Sequence, residues 1–283
     1  MREEAGRPRS CVLSSATMPP DPLALIRRAK AEAKASSANG SSISAAHELP
    51  PLQLLAVPAP RPALAAQPCA SAHYFPDFVS PMDEELLLKH ILEASASRWS
   101  PWNDETGRRT QNWGGRPGER TVHEPLPGFL QQLTDLLVQC GAWPVDGDDS
   151  TGAIDGCPGG PPNHVIINEY RPGAGLTPHT DGPLYAARVA TLSLWSDVVM
   201  ELHTPGETSV LCEEGTRLCR LLLRRRSLNV LSGDAYRLFH GIRCEANDEI
   251  DGETVANYVE ADAQVGERVV REKRISIVFV RKL

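Results

Sequence analysis

The stretch NEYRPGAGLTPHTD, residues 168–181, decides the fold because two kinds of signal meet in it. A β-branched run, 165–167, leads into it. Pro172, Gly173 and Gly175 then favour a turn, since proline fixes φ and glycine admits the left-handed conformations that turns use. The chain leaves the turn as His179-Thr180-Asp181. On a strand, side chains two positions apart share a face, so His179 and Asp181 can be aimed together at one ion. An isolated histidine, His240, followed by Gly241, lies much further along the chain, and on another strand it could close a triangle of ligands.

Outward from this segment, short β-branched or leucine-rich runs recur between turns at 189–194, 198–202, 218–223, 228–231 and 275–280. Strands of this kind predict a sandwich or jelly roll. Upstream the pattern is helical. Ser80-Pro81 followed by Asp83 reads as a helix start, because serine caps free amides and proline suits the first turn. Phe129, Leu130, Leu133, Leu136 and Leu137 recur at three- and four-residue steps and stop at Gly141. Between helices and strands, GDDSTGAIDGCPGGPP (147–162) reads as a glycine- and proline-rich loop. The expected fold class is therefore mainly β with flanking helices (α+β).

Residues 1–67 are rich in Ala, Ser and Pro and contain no aromatic residue, which predicts a disordered tail. The expected domain is 68–283. It divides into N-terminal helices and a substrate lid (68–146), the loop at 147–162 and the core at 163–283. A net charge of −7 excludes a protein basic all over, so contact with nucleic acid would have to be local. The seven cysteines are scattered without CxxC spacing, against a zinc ribbon or disulfide framework. No apolar run approaches the roughly 20 residues that cross a bilayer, and the N-terminus lacks a signal-peptide pattern. A reducing cytoplasmic or nuclear setting, no membrane and a monomer are the resulting expectations.

Two imidazoles and one carboxylate on one side of Fe(II) leave three positions open, enough for a bidentate 2-oxo acid and O2. A structural zinc site would fill its four positions with protein ligands. HxD alone is a weak signal, since Asp before Gly also suits a hydrated turn, and Arg274 could be an ordinary surface ion pair.

The order and spacing of four segments resemble the AlkB-like dioxygenases. NEYRPGAGLTPHTD resembles the block in which Asn-x-Tyr precedes the iron-binding HxD. GDAYRLFHGI (233–242) resembles the block carrying the distal histidine, and RISIV (274–278) the terminal strand that begins with the 2-oxoglutarate arginine. TQNWGGRPG (110–118) and HTDGPLY (179–185) resemble the homologue-six branch. The resemblance implies a double-stranded β-helix (jelly roll) and an oxidoreductase using Fe(II), 2-oxoglutarate and O2. It assigns His179, Asp181 and His240 to iron. Asn168, Tyr170, Arg274 and Ser276 fall to 2-oxoglutarate, with the Arg274 fork matching a carboxylate. The implied reaction is oxidative demethylation of nucleic acid or of a protein side chain.

Two positions depart from the family pattern. Val280 stands where a second arginine is usual and Arg281 follows it, so only a bulge would turn Arg281 inward. Pro183 stands where repair-type members carry an acid that helps read a methylated base. Around the site, Arg109, Gln111, Asn112, Trp113 and Tyr185 are candidate substrate contacts. Residues 108–120, with Arg108, Arg109, Arg116 and Arg120 around Gln111, Asn112 and Trp113, read either as a lid that stacks a base and neutralises phosphates or as a structural loop with Trp113 buried. Arg217, Arg220, Arg224, Arg225 and Arg226 form a second patch near a hairpin, suited to phosphate or simply solvated. Residues 245–267 read as an acidic surface loop. These features keep open a catalytically weak or inactive jelly-roll module that binds nucleic acid through arginine-rich surfaces. A cupin-like structural metal protein would explain neither Asn168 and Tyr170 nor Arg274.

Overall fold

The computed structural model describes residues 71–115, 124–144, 160–204 and 216–283. The expected tail at 1–67, and all but the end of the loop at 147–162, lie outside these residues.

Twelve strands are present among the described residues, and ten of them form two sheets. The larger sheet has six: β1 (Ala72–Phe75), β2 (Arg108–Trp113), β3 (His164–Tyr170), β5 (Tyr185–Leu194), β8 (Leu228–Ser232) and β12 (Arg274–Lys282), in the order β1-β8-β5-β12-β3-β2. The smaller has β4 (Leu176–His179), β6 (Val198–His203), β7 (Arg217–Leu223) and β9 (Phe239–Ile242), in the order β4-β9-β6-β7. Every pairing is antiparallel. Consecutive strands alternate between the sheets along 3-4-5-6, which makes this the expected jelly roll.

Each sheet strand that was legible in the sequence is apolar on both faces, and the packing explains why. On the outer face of the larger sheet, Val165, Ile167, Leu192, Ile275 and Ile277 bury against two helices. These are α1 (Pro81–Glu93) and α2 (Gly128–Gln139). The α1 start is a reciprocal cap: Ser80 Oγ accepts the Asp83 amide at 3.0 Å, and Asp83 Oδ2 accepts the Ser80 amide at 3.2 Å. Between the sheets, Val189, Leu231 and Val280 meet Met200, Leu202, Leu223 and Ile242. Burial of each such aliphatic side chain contributes about 1.5–3 kcal/mol.

The segment read as an acidic surface loop has a core of its own. β10 (Asn247–Glu249) pairs with β11 (Arg268–Val270), and Ile250, Val255, Ala261 and Val269 pack on Val199 and Leu222 of the smaller sheet. Its few apolar residues are spaced irregularly, so no periodicity announced them. Cysteine usage also differs from expectation. Cys140 and Cys244 are free, but Cys219 in β7 is disulfide-bonded.

Candidate active site

β4 and β9 are neighbours at one edge of the smaller sheet, and their register sets His179 directly opposite His240. Gly241 makes this approach possible, since a Cβ there would lie 2.7 Å from Pro178 Cγ. The two imidazole centres are 4.5 Å apart, tilted by 54°. Asp181, two residues past His179, brings Oδ1 to 3.9 Å from His240 Nε2. One donor atom from each of the three residues lies within 4.8 Å of the others.

The protonation of these groups suits a cation. His179 Nδ1 is 2.9 Å from the Thr177 carbonyl, which can only accept, so Nδ1 carries the proton and Nε2 offers a lone pair. Burial pushes the His240 imidazole below its ordinary pKa, against the opposing pull of the Asp181 charge, so the ring is held neutral. Asp181 Oδ2 is buried without a hydrogen-bond partner. A carboxylate with an unpartnered oxygen and two imidazoles converging within 4.8 Å fit a divalent ion, and all three line one cavity.

The larger sheet forms the facing wall. Register places Arg108, Tyr170 and Arg274 in one row across β2, β3 and β12, then Thr110, Asn168 and Ser276 in the next. Asn168 Nδ2 donates to Ser276 Oγ at 3.2 Å. Arg108, Asn168, Tyr170, Arg274 and Ser276 line the same cavity as His179, Asp181 and His240. Apolar walls come from Ile166, Leu176, Val189, Met200, Leu223 and Val278.

Arg274 is the unusual member. It is 4 % exposed, donates from Nη2 to Ser193 Oγ at 2.9 Å, and its carbon sits 5.5 Å from the Tyr170 ring centre. Its Nε has no partner, and no carboxylate among the described residues forms an ion pair with it. Burial accordingly presses its pKa below the usual guanidinium range. A buried cation without a counter-ion is costly, so the cavity is built to receive an anion.

Comparison with known proteins agrees with this geometry. The model of the 2OG-Fe(II) oxygenase superfamily matches residues 71–279. A Danio rerio protein named "Probable RNA/DNA demethylase ALKBH6" is 34% identical over 215 residues, covering 74% of this chain and 84% of that one. The chain belongs to the 2-oxoglutarate- and Fe(II)-dependent oxygenase superfamily. Within it, the chain is an AlkB-like dioxygenase, an oxidoreductase. "Uncharacterized protein L905" of Acanthamoeba polyphaga mimivirus is 29% identical over 214 residues, covering 72% of this chain and 80% of that one. The solved structure of OsALKBH1 aligns with 82% of this chain and all of its own, at 14% identity and a TM-score of 0.46.

The last strand of this oxygenase settles the question raised by Val280. A register shift does occur between Val280 and Lys282, yet Arg281 turns away and donates to the Pro161 carbonyl at 2.8 Å. Val280 is buried in the inter-sheet core, and none of residues 280–282 lines the cavity. The bulge therefore restores no second arginine. Pro183 is exposed. Tyr185 stacks on His164 with ring centres 5.9 Å apart; burial and the nearby Asp181 charge raise its phenol pKa.

The expected lid is corrected by the structure at 108–113, which is the sheet-edge strand β2. Period-two alternation then separates the candidates. Arg109, Gln111 and Trp113 face outward. Arg109 Nε donates to buried Glu169 at 2.5 Å, its guanidinium between Trp99 and Trp102. Gln111 is buried, donating to the Ile91 carbonyl and accepting from Trp113 Nε1. Trp113 meets Phe129 edge-on. Asn112 is exposed, while Arg108, offered by the sequence only as one of several lid cations, lines the cavity. Only the assignment of Arg108–Trp113 to a strand, invisible in its polar sequence, would have set it apart from Arg109.

The second arginine patch is likewise committed to the fold. Arg224 pairs with Asp197 and Glu267, Arg225 with Glu84, and Arg226 with Asp77. Arg217 and Arg220 pair with Glu201 and Asp251.

Proposed function

We propose that this AlkB-like dioxygenase demethylates a nucleic acid oxidatively, with His179, Asp181 and His240 holding Fe(II) and Arg274, Tyr170, Asn168 and Ser276 receiving 2-oxoglutarate. One observation carries the reading: a buried arginine with no counter-ion opens into the same cavity as two imidazoles and a carboxylate. The nucleic acid class is supported by the printed name of the zebrafish relative.

When bound, the metal with 2-oxoglutarate and O2 would supply the oxidising power, giving succinate and CO2 as one oxygen atom enters a target C–H bond. The protein's part is electrostatic and geometric. Arg274, beside the Tyr170 ring, would neutralise the distal carboxylate through a charge-assisted fork. Asn168, held by Ser276, would offer a further polar contact. Thr177 locks the His179 tautomer, and the aliphatic walls keep bulk water from the reacting carbon. An N-methyl group hydroxylated there becomes N–CH2OH, whose C–N bond breaks to release formaldehyde while the hydroxyl proton passes to nitrogen.

Turnover is favoured over a module that only binds nucleic acid through the arginines of 217–226 by the ion pairs those guanidiniums make with the protein's own carboxylates. The test is formaldehyde release and succinate formation with Fe(II) and 2-oxoglutarate under air, offering methylated oligonucleotides and methylated peptides in parallel. Release from oligonucleotides, absent in His179→Ala, is expected. Release from peptides alone would overturn the substrate class, and no succinate from any mixture would overturn the activity.

A further inference from the structure

Arg108 is the second guanidinium in the cavity, and nothing in the reading above uses it. Its row across the sheet is Arg108, Tyr170, Arg274, so the two arginines flank one tyrosine from opposite sides. At strand spacings of about 4.8 Å their Cα atoms stand roughly 10 Å apart, and both side chains are long enough to meet above the ring between them. Both line the cavity. Arg109, next in sequence, is paired to Glu169, and Arg171 nearby to Asp104. The Arg108 side chain forms no ion pair or hydrogen bond with any described residue.

Resting on the function proposed above, we infer that Arg108 is a second cationic anchor for the distal carboxylate of the 2-oxo acid, closing a two-arginine clamp over Tyr170. β12 contributes no second arginine to the cavity, so a dianionic cosubstrate meets only Arg274 from that strand. Arg108 supplies further positive charge from the sheet edge, at the end of the cavity where Tyr170 and Arg274 already converge. A carboxylate has two oxygens and about four acceptor positions, enough for both forks. Its place in the Tyr170 row, beside Arg274, favours this role over contact with the oxidised substrate.

Calorimetric titration of the full chain loaded with Mn(II) separates the roles without turnover. The titrants are 2-oxoglutarate and pyruvate, which has the same 2-oxo acid but no distal carboxylate. Arg108→Met should weaken 2-oxoglutarate about tenfold or more, the size of one charge-assisted hydrogen bond, and leave pyruvate within about twofold. Arg108→Lys should recover part of the loss, and the substrate KM should stay unchanged in the Fe(II) enzyme. An unchanged 2-oxoglutarate affinity, or an equal loss for both acids, would overturn the clamp, as would a rise in oligonucleotide KM alone. Failure of the unaltered protein to bind 2-oxoglutarate would bring down the cosubstrate reading itself.

Discussion

Two sets of arginines in this oxygenase differ in what answers their charge. In the 224–226 hairpin each guanidinium meets a carboxylate of the protein, as Arg271 does with buried Asp248, its Nε donating to Oδ2 at 2.6 Å. In the cavity, Arg274 and Arg108 meet none. The first set is architecture, tying the smaller sheet and the 245–267 segment to α1 and the strand ends. The second is held ready for a charge the protein does not supply. Arginine density in a sequence therefore says little about function; the useful quantity is guanidinium left over after the carboxylates are counted in space.

Removing a member of the ligand triad should have the largest effect on activity. Asp181→Ala or His179→Ala is expected to reduce succinate formation to the protein-free background, whereas Arg224→Gln should leave it within about twofold once correctly folded protein is compared. Residual turnover in the triad variants would place the metal elsewhere. Arg274→Met comes next, weakening 2-oxoglutarate by about a hundredfold if two charge-assisted bonds are lost. In the ligand-free protein the same change should leave urea stability equal or higher, because an unpaired buried cation is removed. A large loss of stability there would show that Arg274 is architectural after all.

Arg271→Met gives the opposite result from the same substitution. Asp248 then keeps only Arg220, 3.9 Å away, as a cation, so stability should fall by up to about 3–5 kcal/mol in urea titration. Arg224→Gln should cost about 1–2 kcal/mol, since its ion pairs are partly exposed. It should not alter the salt dependence of oligonucleotide binding. A flatter salt slope would return the hairpin to the list of phosphate contacts.

The last effect concerns pH. His164 is buried with both ring nitrogens unpartnered, and burial, aided by the Lys282 charge, lowers its pKa to about 4. A folded pKa below the unfolded value of about 6.5 means that stability is full above about pH 6.5. It declines as pH falls through the window down to about 4. His164→Phe should flatten that part of the stability profile, and an unchanged profile would assign the decline to other groups.

The residues proposed to hold the metal and its cosubstrate stand out in the sequence where short-range spacing marks them. His179 and Asp181 are two apart with a turn before them, and Arg274 opens an apolar strand. The six apolar strands were visible for the same reason, burial on both faces leaving a continuous hydrophobic run. β2 was not visible as a strand, and β4 and β9 were expected only through their histidines, all three being short or polar and drawing their order from neighbours. β2 shows the consequence most clearly. Read as a lid, it offered Arg109, Gln111 and Trp113 to substrate; paired to β3, it turns these three outward and sends Arg108 inward.

The sequence by itself determined the chemistry available: a ligand triad in the right order, a candidate carboxylate anchor and enough strands for two sheets. Only the tertiary structure decided which charges are spent within the protein and which remain for ligands. Pairing is a property of distance and burial between residues far apart in the chain. Arg224 with Glu267, Arg271 with Asp248 and Arg274 with no carboxylate look alike along one dimension and differ only when the sheets close.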